Sequence, residues 1–491
     1  MSRAAWFAVA ALFFLIVGTA NAGGYRFGVS DQAFYVPAIE LAADDTLFPR
    51  DRAVFDPQMR FWLGDEVLGA VVRATHVPLP ALFAVLYVIT MAGLAAGAAC
   101  LGRSLGFDRW SIAATLILMT LRHRIARTGA NSLEGYMHPR MLAFALGLFA
   151  LAYVVRRRPV VALLWVVTAA VVHSSTAIWF ARVVVVAAVW PHVRTTRARA
   201  ALGAAAVAAV LALMFVAGRM PVMDAAWLAV LGDRDYLFSL DWPAYAWAGN
   251  LAYPVVILAL FRRRVRSGAA VAGEAGLMAG LMALVAVFFM SLPLAERHIA
   301  FFVQLQANRV FWLLDAVVAA YLGWWLAFDL AGRASLRRRA VIAGLALLAV
   351  GRGAFVLHEA GRPLAQPALA DDDWTAAMRW LRQQSPSWHV LADPGHAWKY
   401  GSSVRVAALR DTPLELGKDP AMAMYDAALA GRVAERTAAL AGFDDWTTAD
   451  DVRAVATRYD LDVFVDHTDR RFDLPTLFRN GRFVVYDLRT R

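Results

Sequence analysis

The sequence predicts a polytopic α-helical membrane protein of about eleven spans, followed by a small α/β domain. Three observations carry the prediction. Of the 491 residues, 60% are hydrophobic and 18% charged, with a mean hydropathy of +0.52, whereas an ordinary soluble domain is about 25% charged. Apolar runs of the kind that cross a bilayer, about 20 residues each, recur between residues 1 and 357. Residues 358–491 instead alternate helix-like with strand-like segments, the pattern of a packed α/β layer. A soluble globule is excluded.

The net charge of +11 does not form one basic patch. Residues 358–491 hold 17 Lys+Arg and 20 Asp+Glu, leaving 32 and 18 for residues 1–357. The excess lies in short clusters between apolar runs: Arg156 to Arg158, Arg194 to Arg199, Arg262 to Arg266 and Arg333 to Arg339. Such loops stay in the cytoplasm, so the charge reads as topology and no nucleic-acid partner is expected. The single cysteine, Cys100, excludes an intramolecular disulfide and a cysteine metal site.

With those clusters inside, the spans fall near 4–20, 79–101, 111–121, 141–155, 159–173, 176–190, 200–217, 245–261, 271–290, 310–328 and 339–357. An odd number of spans from an inner N-terminus places residues 358–491 outside. Several spans are shorter than the bilayer requires, which predicts broken or re-entrant helices around a cavity. Ala20-Asn21-Ala22 resembles a signal-peptide site, but the weak basic start, Arg3 alone, favours a retained signal-anchor. The expected domains are 1–357, including an outer loop at 21–78, and 358–491.

The 21–78 loop is rich in acids, among them Asp31, Glu40, Asp44, Asp45, Asp51, Asp56, Asp65 and Glu66, interleaved with aromatics, and a loop of that length usually carries function. A second outer segment, 218–250, is rich in Asp and Trp. Beyond residue 358, Asp371 to Asp373 open a helix with an acidic start. Strands are expected at His389 to Asp393, Ser403 to Leu409, Val463 to Val465 and Phe483 to Tyr486, and helices at Pro420 to Leu440 and Thr448 to Arg458.

Charges at the ends of spans are functional candidates by default. Arg122, Arg124, Arg127 and Arg140, with Glu134 and His138, sit on the outer side against the positive-inside bias. The planar arginine fork suits phosphate, so an anionic lipid phosphate and simple pairing with the acidic first loop both account for them. His173 interrupts an apolar run as a helix cap or as part of a cavity. Arg297 and Arg309 belong to a third polar segment, with Asp315 farther along its helix, either paired to an arginine or lining the cavity. Asp31, just after the first span, is placed where a carboxylate can take a proton from an incoming hydroxyl, or is a solvated charge.

A first helix starting inside, a long outer loop opening with Asp31 and followed by Phe34 and Tyr35, many short spans and an external C-terminal domain together resemble the GT-C superfamily of membrane glycosyltransferases. That superfamily includes the protein O-mannosyltransferases and aminoarabinose transferases. Tyr136-Met137-His138-Pro139-Arg140 and His173-Ser174-Ser175-Thr176 also resemble features of bacterial GT-C-like proteins. The resemblance implies a polyprenyl-phosphate-linked sugar donor, Asp31 as catalytic base or metal ligand, and a bacterial inner-membrane location with the C-terminal domain periplasmic. The chain departs from the pattern at Gln32, where many members have Glu. No cofactor is assigned, and a divalent cation at Asp31 or Asp44-Asp45 is left open. The acceptor is unknown. A transporter or lipid-carrier binding protein, and an inactive GT-C-like scaffold, are the alternative readings.

Overall fold

The computed structural model describes residues 2–60, 62–193, 197, 215–216, 218–232, 234–332 and 334–489. The expected span 200–217, apart from residues 215–216, lies outside the described residues, as do Arg194, Arg199, Asp233 and Arg333. Seven described helices are long and apolar enough to cross a membrane: Ala4–Asn21, Leu79–Ser104, Ser174–His192, Ala244–Arg266, Glu274–Glu296, Ala300–Leu330 and Ser335–Ala360. Three shorter apolar helices, Arg109–Thr120, Pro139–Val155 and Pro159–Val172, join them. Each overlaps a span read from hydropathy.

The chain forms two compact units. The first comprises residues 1–25, 85–223 and 234–365, the second residues 26–84, 224–233 and 366–491.

In the first unit the short helices have local causes. Pro139 and Pro159 occupy the first turns of their helices, where a missing N–H is harmless and φ is already set. His138 and His173 cap the helices that follow them. Inside this unit the arginine loops are not simply solvated. Arg264, 1% exposed, donates to the buried Glu274 carboxylate at 2.7 Å and to the carbonyl of Leu105 at 2.7 Å. The Tyr321 hydroxyl donates to the same carboxylate at 2.7 Å. Breaking such a buried pair costs about 3–5 kcal/mol, so Arg264, read from sequence as a marker of one side of the membrane, also fastens two helices together.

The second unit corrects the reading of the first outer loop. Residues expected as a polar loop form the helices Gln32–Ala43, Arg52–Met59 and Gly64–Thr75, and Asp51 and Asp65 are wholly buried. Asp51 accepts from Arg405 at 2.8 Å, Arg432 at 2.6 Å and the Thr412 backbone N–H at 2.9 Å. Arg405 in turn donates to Asp419 at 2.5 and 3.0 Å. This ion network draws residues 26–84 into one body with the C-terminal residues, whereas the sequence grouped the loop with the membrane region.

The C-terminal sheet runs in the order Val390–Leu391, Val463–His467, Phe483–Asp487, Thr476–Arg479, with the first pair parallel and the others antiparallel. Its apolar face packs on Trp374, Met378 and Leu381 of the helix Asp373–Arg382. Two expectations are corrected. Ser403 to Leu409 is not a strand: Val404–Ala407 is a helical turn capped by the Ser403 hydroxyl, since a short apolar run buried on all sides has no distinguishing period. The expected helix at 420–440 is two helices, Asp419–Ala423 and Ala427–Ala439, the second capped by Asp426.

Candidate functional site

After Arg109–Thr120 the chain makes a small antiparallel hairpin that pairs Arg124 with Asn131 and Ile125 with Ala130. It then turns at Glu134-Gly135 and enters the next helix at Pro139. Gly135 is required there: a Cβ would lie 2.5 Å from the carbonyl oxygen of Gly24 and 2.9 Å from that of Ala22. The close approach seats Glu134, 3% exposed, beneath the surface. Its carboxylate accepts from Asn131 Nδ2 at 3.0 and 3.2 Å and forms an ion pair with the buried Arg140.

The two capping histidines meet beside this pair. His138 Nδ1 accepts the Arg140 backbone N–H at 3.2 Å, and its ring centroid lies 6.1 Å from that of His173. His173 Nδ1 accepts the Thr176 backbone N–H at 3.3 Å, with the Ser175 and Thr176 hydroxyls at 3.2 and 3.0 Å. The charges of Arg140 and Arg309 both act on His173, and the Arg140 guanidinium lies over the Trp312 ring at 6.0 Å.

On the other side of Glu134, Arg122 feels the charges of Arg124, Arg352 and Glu134, and its Nε donates to the Leu133 carbonyl at 3.2 Å. Arg352 reaches Asn21 Oδ1 at 2.6 Å and the Arg122 carbonyl at 2.7 Å. His123 bridges the Leu121 carbonyl at 2.9 Å and Asp315 at 3.0 Å. The bond to Asp315 raises the His123 pKa, because imidazolium supplies a proton to both acceptors. Asp315 is thus paired with a histidine rather than an arginine. Together with Ser132, Phe144 and Trp312 the two line a cavity of about 30 Å³, room for roughly one water.

Glu134, His138, Arg140, His173 and Arg309 therefore belong to one polar cluster in the first unit. Arg124 joins it from an exposed position. Arg127 turns away to pair with Asp235 and to donate to the Tyr245 hydroxyl at 2.9 Å. Arg297 is exposed at the end of Glu274–Glu296. Asp31 belongs to the second unit, where it precedes the helix Gln32–Ala43 and accepts from Lys418 at 2.5 Å. Among the described residues no group of three or more His, Cys, Asp or Glu side chains is placed to hold a metal. The Asp44 side chain instead caps Thr46 at 3.0 Å.

Sequence reasoning missed Arg352 and Lys418. Arg352 carried a signal, being a charge inside the last apolar run. Lys418 carried none, because only the fold brings it 387 positions back to Asp31.

No protein-family model matches the chain, and no curated protein matches it in sequence. Among solved structures it is similar to the oligosaccharyltransferase of Archaeoglobus fulgidus tethered to an acceptor peptide, at 11% identity and a TM-score of 0.49, over 95% of this chain and 69% of that one. The apo form of the same protein gives 12% identity and 0.45, over 94% and 69%. The arabinofuranosyltransferase AftD from Mycobacteria gives 14% and 0.45, over 99% of this chain and 40% of that one.

Proposed function

We propose that the chain is an integral membrane glycosyltransferase that moves a sugar from a polyprenyl-phosphate-linked donor to an acceptor on the periplasmic side of a bacterial inner membrane. The observation that carries this reading is the charge balance of the cluster in the first unit. Arg122, Arg124, Arg140, Arg309 and Arg352 gather there around two carboxylates, Glu134 and Asp315. An excess of guanidinium at the ends of apolar helices is stabilised by an anionic ligand, and a lipid phosphate matches both the fork geometry and the apolar setting.

Within this reading Arg140 holds Glu134, while the more accessible Arg124 and Arg309 take the phosphate. The acceptor hydroxyl oxygen attacks the anomeric carbon, the carbon–oxygen bond to phosphate breaks, and polyprenyl phosphate leaves. Asp31 receives the hydroxyl proton, which requires its pair with Lys418 to open. That pair is also what favours the second reading, a lipid-carrier binding protein that uses the same cluster without chemistry.

The experiment is a comparison of wild type with Asp31→Asn in liposomes, using polyprenyl-phosphate hexoses and pentoses as donors. General-base loss should slow turnover by about 10²–10⁴-fold, with donor binding retained. Equal rates would remove Asp31 from the mechanism and direct attention to Asp44, Asp45 and Glu134.

A further inference from the structure

We propose that a groove between the first helix and the turn after Leu79–Ser104 binds an anionic phospholipid of the surrounding membrane, at a site separate from the polar cluster. The groove has a volume of about 820 Å³ and is lined by Trp6, Phe7, Phe107 and Ile112, with Arg103 and Arg109 in the same wall. That volume is within the range of small-molecule sites, about 300–1,000 Å³. Trp6, Phe7, Phe107 and Ile112 give an acyl chain an apolar strip along a wall that is otherwise polar, and the two cations suit a phosphate.

The turn beside the groove identifies which end of the unit this is. Arg156 donates to the Ser104 hydroxyl at 2.8 Å, Arg264 to the Leu105 carbonyl at 2.7 Å and Arg338 to Asp108 at 2.9 Å. Three of the arginine clusters that flank the apolar helices therefore converge on this turn, whereas the polar cluster begins beyond the far end of Arg109–Thr120. Positive residues beside apolar helices attract anionic headgroups.

Charge complementarity selects the occupant. Asp108 is the acid of this turn, and its carboxylate is already engaged by the Ser111 backbone N–H and hydroxyl, each at 2.9 Å, and by Arg338. Arg103 and Arg109 form no ion pair with a described residue, and Arg109 stacks on Trp110 at 5.1 Å. Among the described residues no carboxylate lines the groove. A zwitterionic lipid would bring its own ammonium against these guanidiniums; an anionic one would not.

Native mass spectrometry of the intact chain released from nanodiscs tests the site, with phosphatidylglycerol, phosphatidylcholine and polyprenyl phosphate offered in turn. Wild type should retain phosphatidylglycerol over phosphatidylcholine. Arg103→Gln/Arg109→Gln should weaken that retention by about 10- to 30-fold, roughly fivefold per surface arginine. Ile112→Trp, which fills the groove and keeps both cations, should weaken it as well, and Arg103→Lys/Arg109→Lys should preserve it. Undiminished retention by Arg103→Gln/Arg109→Gln or by Ile112→Trp would overturn the proposal. So would polyprenyl phosphate displacing phosphatidylglycerol from wild type but not from Ile112→Trp, which would make the groove a donor site.

Discussion

Arg140 and Glu134 form a buried ion pair within the polar cluster of the first unit. Each is nearly inaccessible and each is the other's partner. Truncating Arg140 to Ala leaves a buried carboxylate without its cation, so stability should fall by about 3–5 kcal/mol, read as a lowered midpoint in thermal unfolding of the detergent-solubilised chain. Glu134→Gln/Arg140→Met should recover much of the loss, because no uncompensated charge is left. A midpoint unchanged in Arg140→Ala would mean that the pair does not hold the turn. Asp65 in the second unit is the opposite case. Both of its oxygens are buried without a hydrogen-bond partner among the described residues, and burial, helped by the Glu66 charge, pushes its pKa up to about 8. The folded chain keeps this proton while the unfolded chain releases it near pH 4, so stability declines as pH rises from about 4 to 8 and levels off above. Asp65→Leu should therefore raise the unfolding midpoint, and more at pH 8 than at pH 5. An equal gain at both values would contradict the burial of an unpaired acid.

At the scale of elements, the apolar spans were legible because hydropathy depends only on neighbouring residues. His173, expected either as a helix cap or as part of a cavity, does cap the helix that follows it. The first outer loop was not legible, since Asp51 looks like any solvated acid until Arg405, 354 positions away, is brought against it. The buried turn Val404–Ala407 and the strand Thr476–Arg479 escaped for a related reason: neither has a period of its own, and packing decides both. The candidate site was half legible. Its arginines stood out as charges at the ends of apolar runs, whereas Asn131 beside Glu134 and Arg352 beside the Arg122 carbonyl were settled by the fold. Topology is open to direct measurement. A reporter fused after Arg491 should be active only outside the membrane and one fused at Arg264 only inside; activity of both on one side would contradict the span order.

For the whole molecule, each unit carries its own cluster of ionic side chains. The first holds the cationic cluster, and the second holds the partly exposed Asp31–Lys418 pair beside the buried ion pairs that fasten residues 26–84 to the C-terminal residues. The deciding measurement is product balance: purified wild-type protein in liposomes, polyprenyl-phosphate sugars labelled in the sugar, and acceptors extracted from the native envelope. Transfer predicts one polyprenyl phosphate released for each sugar that appears on acceptor. Donor that binds in stoichiometric amount, with no lipid phosphate released and no label on any acceptor, would contradict it.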